Sequence, residues 1–265
     1  MNNNFWKTCL TTLLVVAGAA LLATPARAQN SVYNDEDALF GFRVLSGTGS
    51  GFEGIIDLGQ VSQFDHTFTL SLGNIAGFMS TNFGSDWFTR QAVGQTGFTA
   101  IQWAVVATDN NTNFTNDLWS TRNPAVRSTP WTPQVDQSIP SNGIQSVGSQ
   151  YNNQPIAPGT TSAIMQSSSN PNSWTSWQPG GPNSFGISFA FFNPTDEGNT
   201  NTVMAFDYVQ AGATNGVQQG LFAWNSDGTV TFTVIPEPGT YQFMALGALG
   251  LVGLNILRRR RAVRA

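Results

Sequence analysis

The sequence predicts an all-β domain, an irregular antiparallel β-sandwich or jelly roll carrying a long, partly helical insertion. Three observations predict it. Apolar residues recur at every second position in several short runs. Gly, Asn and Asp clusters punctuate those runs. Only 10% of the 265 residues are charged, so Ser, Thr, Asn and Gln must make most of the wettable surface.

The clearest alternation is Phe64, Phe68, Leu70 and Leu72 against Asp65, Thr67, Thr69 and Ser71, with His66 in the apolar register. Ile101, Trp103, Val105 and Ala107 repeat the period, as do Val230, Phe232 and Val234 against Thr229, Thr231 and Thr233. Asn225-Ser226-Asp227-Gly228 separates Leu221–Trp224 from that last run and predicts a hairpin turn. Further strands are expected at 38–45, 54–58, 185–192 and 203–210, where aromatic and β-branched residues suit a pleated surface.

Residues 128–182 break the pattern with eight prolines and a Ser/Asn-rich run. Within them, Ile144, Val147 and Tyr151 fall at helical spacing and predict a short helix over 141–152. An insertion of this length in a β-domain is usually functional or mobile.

Both ends differ from the middle. Lys7, an apolar run over 10–22 and Ala26-Arg27-Ala28 follow the plan of a secretory signal peptide, predicting signal peptidase cleavage between Ala28 and Gln29. Thirteen helical residues would span only about 20 Å, short of a bilayer core. The domain therefore occupies 29–235. Its only candidate thiol, Cys9, lies in the signal, so no disulfide or cysteine metal site is expected after cleavage. Residues 236–265 contain Pro236-Glu237-Pro238, an apolar transmembrane helix predicted at 241–257, and a basic stop, Arg258-Arg259-Arg260-Arg261. Seventeen helical residues reach about 25 Å, enough for a minimal span, and the arginines should stay cytoplasmic. The domain is then exported, transiently anchored in the inner membrane, and delivered to the cell surface or beyond.

The order Pro-Glu-Pro, apolar span, arginine cluster resembles the PEP-CTERM sorting signal of exopolysaccharide-producing Gram-negative bacteria. The resemblance implies handling by an exosortase, a membrane transpeptidase that removes the tail. The stretches 37–43, 54–60 and 102–106 also look like other PEP-CTERM cargo domains, a likeness that implies no activity.

Charge and composition exclude several chemistries. Within 29–235, four arginines face fourteen acids, leaving −10. No nucleic-acid partner fits that field. His66 is the only histidine, so a catalytic triad or dyad would have to use it, and a packed strand histidine is the expected role. One histidine and no cysteine cannot assemble the usual zinc sites. Gly49, Gly51 and Gly54 have the spacing of a dinucleotide fingerprint, but a strand rather than a helix is expected next, so the motif reads as a turn. Asp109-Asn110-Asn111-Thr112-Asn113 alternates oxygen ligands as calcium loops do. It has Phe114 where such a loop needs Gly and Ser120 where it needs Glu, so no cofactor is expected and calcium is the sole candidate.

Two functional readings follow. The leading one is a non-enzymatic surface or matrix protein associated with extracellular polysaccharide in a biofilm. The alternative is a carbohydrate-binding or carbohydrate-active domain. Two carboxylates at the separation used by glycosidases are available arithmetically. Trp119, Trp131, Trp174 and Trp177 could stack on sugars, with Trp174 and Trp177 singled out because they lie in the polar insertion. Core packing is the default for any of them.

Overall fold

A computed structural model describes residues 32–64, 67–70, 75–94, 96–109, 116–122, 138–158, 160, 163–177, 197–213 and 215–235. The predicted signal peptide, His66, most of the alternate-oxygen loop, Trp131, the strand expected at 185–192, the Pro-Glu-Pro motif and the apolar span lie outside those residues. Among the described residues no helix is long and apolar enough to cross a membrane.

Ten strands and two α-helices are described. In chain order they are β1 (Asp37–Val44), β2 (Phe52–Gln60), β3 (Phe68–Leu70), α1 (Ile75–Phe83), β4 (Ile101–Thr108) and β5 (Leu118–Arg122). Then come α2 (Ser138–Asn152), β6 (Ala163–Ser167), β7 (Gly198–Asn199), β8 (Met204–Val209), β9 (Val217–Trp224) and β10 (Val230–Val234). The described residues are mostly β and their strand pairings are antiparallel, as the alternation predicts. The strands nevertheless form one sheet, ordered β3-β10-β9-β8-β5-β4-β1-β2-β6 with β7 beside β4. The expectation of two stacked sheets is corrected accordingly: the sheet curls until one face closes on itself.

Aromatic contacts measure the curl. Trp224 on β9 and Phe40 on β1 stand four strand positions apart, about 19 Å in a flat sheet. Their rings lie 5.1 Å apart, edge to face. The concave face gathers Phe40, Phe42, Phe68, Trp103, Phe206, Phe222, Trp224 and Phe232, and α1 closes it with Ile75, Met79 and Phe83. Burying this much aromatic surface stabilises a domain without disulfides.

The convex face carries the other register. Leu39, Ile55, Ala104, Val106 and Ile164 pack against Ile144, Val147 and Tyr151 of α2 and against Trp174. Pro140 sits in the first turn of α2, where its missing N–H would have had no intrahelical partner. Gly148 lets the Tyr33 ring lie on the helix, since a Cβ there would come within 2.2 Å of that ring. The Asn225–Gly228 turn forms as expected, with Gly228 at φ +85° and the Asp227 carboxylate accepting from the Thr229 N–H at 2.9 Å. Gly49 and Gly51 also have positive φ, and β2 follows, so the glycine-rich segment is a turn.

Candidate functional site

Strand alternation turns Glu53 of β2 toward the convex face, between Arg43 of β1 and Gln166 of β6. The residue is completely buried, yet its carboxylate is well supplied with donors. Oε1 accepts from Gln166 Nε2 at 2.7 Å and from the Trp174 backbone N–H at 2.5 Å; Oε2 accepts from the Thr175 backbone N–H at 2.6 Å. Burial pushes the Glu53 pKa up, while these hydrogen bonds pull it down. Glu53 thus receives the first N–H groups of the one-turn helix Thr175–Trp177 and fastens the polar insertion to the sheet.

Beside it, Arg43 donates from Nε at 2.9 Å and from Nη2 at 2.5 Å to Glu197 Oε2. The other Glu197 oxygen faces the Trp174 indole N–H at 3.4 Å. Trp174 is therefore held at its backbone, at its indole nitrogen and across its ring, which lies over Gly41. It has no exposed surface. This corrects its candidacy as a sugar platform: both ring faces are occupied by protein. Trp177 is only half buried and packs on the margin of the same cluster. The structure does not bring the two tryptophans together on one open surface. Trp119, also half buried, packs on Tyr208 with ring centres 5.1 Å apart and ring planes tilted by 47°.

A second buried acidic site lies where β1 begins and β2 ends. Asp37 accepts from the Asn34 N–H at 2.6 Å and from Gln60 Nε2 at 2.6 Å. Asp57, fully buried, accepts from the Gly59 N–H at 2.7 Å through Oδ1. Burial, reinforced by Asp37, pushes the Asp57 pKa up to about 8, against the pull of the Gly59 N–H. Asp57 is then held protonated at neutral pH. Burial likewise raises the Tyr33 hydroxyl, helped by Asp35, Asp37 and Asp57. Neither buried acidic site opens to solvent through its carboxylates.

An open groove of about 460 Å³ is lined by Gly77, Phe78, Thr81, Asn82 and Pro158. Among the described residues no three His, Cys, Asp or Glu side chains converge on a point where a metal ion would fit. Sequence reasoning missed Glu53, Asp57 and Glu197 as buried groups. The signal for the first two was present, because each lies in strand register with Ile55 on the convex face.

The chain leaves the sheet through β10, whose last residue is Val234; the Ile235 N–H still donates to the Gln219 carbonyl at 3.3 Å. A family model for the PEP-CTERM protein-sorting motif matches residues 234–261, from the end of that strand through the fourth arginine. The chain carries a PEP-CTERM sorting signal. Such a signal implies export, a transient membrane anchor and exosortase processing before surface display. Ala26, Ala28 and Gln29 at the other end are not covered by the match. No curated protein and no solved structure matches the chain significantly.

Proposed function

We propose that this PEP-CTERM protein is a non-enzymatic structural component of the cell surface, held in or near extracellular polysaccharide after exosortase removes its tail. One observation carries the reading: the sorting motif begins within the last strand of the sheet. Such continuity suits a domain whose purpose is to be displayed. The buried state of Glu53, Asp57 and Glu197 agrees with it, since carboxylates used on a polysaccharide must meet the substrate. The surface is mostly uncharged and polar, a composition suited to a hydrated sugar matrix.

Carbohydrate binding is the second reading, and the half-buried Trp177 favours it. Trp174 no longer contributes. The test uses residues 29–235 with the host's own exopolysaccharide in a pull-down, with sugar release measured in parallel. Retention without turnover supports the structural reading. Turnover abolished by replacing one Asp or Glu would overturn it, and retention lost in Trp177→Ala would favour a dedicated binding module.

A further inference from the structure

The Glu53 carboxylate holds, at its two ends, a nucleophile and an acyl group that have no other engagement. Gln166 donates its amide nitrogen to Oε1, and its carbonyl Oε1 is buried without a hydrogen-bond partner. Thr175 donates its backbone N–H to Oε2. Its hydroxyl is buried without a hydrogen bond of ordinary geometry, yet lies near enough to the carboxylate to favour its charged form. An orphaned hydroxyl and an orphaned carbonyl are both expensive to bury. Here they flank one buried base. Glu53 and Trp174 are 0% exposed and Gln166 is 6% exposed, so the carboxylate and the amide are shielded from solvent, while Thr175 is partly exposed.

The geometry points to an intramolecular ester between Thr175 Oγ1 and Gln166 Cδ, formed in the folded protein with Glu53 as general base and then general acid. Glu53 takes the Thr175 hydroxyl proton as Oγ1 adds to Cδ. The tetrahedral centre collapses by breaking the Cδ–Nε2 bond. Glu53 returns the proton to Nε2, the atom already hydrogen-bonded to it, and the nitrogen leaves as ammonia. Hydroxyl plus primary amide gives ester plus ammonia; no oxidant, metal or cofactor enters. The raised pKa that burial gives Glu53 suits a group that must both accept and return a proton.

The link would close the loop from β6 to the one-turn helix Thr175–Trp177, sealing Trp174 beneath it. It would give a covalent staple to a domain whose chain has a single cysteine, Cys9, far from this site. The inference stands apart from the proposed function and would hold for an enzyme equally.

The test is mass mapping of the natural surface protein, denatured and cut by chymotrypsin. Cleavage after Trp174 separates Gln166 from Thr175 along the backbone. The ester predicts that the two peptides still travel together, one ammonia lighter than their sum, and that hydroxylamine parts them and leaves a hydroxamate on Gln166. Mapping distinguishes this from ammonia lost when Gln29 cyclises at a new N-terminus. The full chain carrying Thr175→Ser should retain the link, and chains carrying Thr175→Ala or Glu53→Gln should lack it. Separate peptides with intact Gln166 and Thr175 from the natural protein would overturn the inference, as would a linked pair persisting in Thr175→Ala.

Discussion

Trp174 covers Gly41 so closely that a Cβ on the glycine would stand 2.2 Å from the indole ring. Real Cβ contacts do not reach that distance, so any side chain at 41 evicts the ring or bends β1. Gly41→Ala should therefore destabilise the domain by about 3 kcal/mol, the upper range for overpacking a core. Trp174→Ala should lose about 3–5 kcal/mol by leaving the cavity. Denaturant midpoints check both. Equal stability of Gly41→Ala and the natural sequence would mean the ring lies elsewhere.

The Arg43–Glu197 pair makes a different prediction. Glu197 is 2% exposed at its side chain and Arg43 16%, so removing the arginine strands a buried carboxylate. Arg43→Ala should lose about 3–5 kcal/mol, and Glu197→Gln distinctly less. Arg43→Met combined with Glu197→Leu should recover most of the loss, because neither charge is then buried. A double-mutant cycle on thermal unfolding measures the coupling. Additive losses would deny the pair.

Asp57 links stability to pH. Its folded pKa of about 8 lies above the unfolded value near 4, so the folded state holds the extra proton between those limits. The favourable contribution is complete below about pH 4 and is lost as pH rises through about 8. Stability should fall from pH 5 to pH 9, by up to about 4 kcal/mol from this one group. Asp57→Asn should flatten that slope and be the more stable protein at pH 9. Urea titrations at several pH values decide; an unchanged slope in Asp57→Asn would place the titrating group elsewhere.

Sorting can be separated from folding. Pro236→Ala with Glu237→Ala should leave a larger, membrane-retained form in the host, seen by fractionation and immunoblot. Because β10 ends at Val234, a chain stopped after Ile235 should fold with an unchanged circular dichroism spectrum. Normal surface release of the double variant would argue against exosortase handling.

Much of the sheet could be read in advance because burial on one face leaves a two-residue rhythm. Ile101, Trp103, Val105 and Ala107 all enter the concave core. Ile144, Val147 and Tyr151 mark the helix over the convex face for the same reason at helical spacing. β5 escaped notice since Ser120, Thr121 and Arg122 are polar residues buried mid-sheet. α1 escaped too, although Ile75, Met79 and Phe83 recur at fourth positions; Gly77, Thr81 and Asn82 mask a weak helix former. A sandwich and a curled sheet share one alternation, and only contacts such as Phe40 with Trp224 tell them apart. The Glu53 site was hidden because two of its donors are backbone groups 121 and 122 residues away.

The placement of β10 bears on how the displayed molecule would take a load. The strand that runs into the sorting motif lies between β9 and β3, with neighbours on both sides. A tether fixed beyond residue 235 draws that strand along its own length. Antiparallel ladder bonds lie across such a pull, so those on both flanks must shear together instead of unzipping singly. The domain would thus be gripped at a place suited to bearing tension.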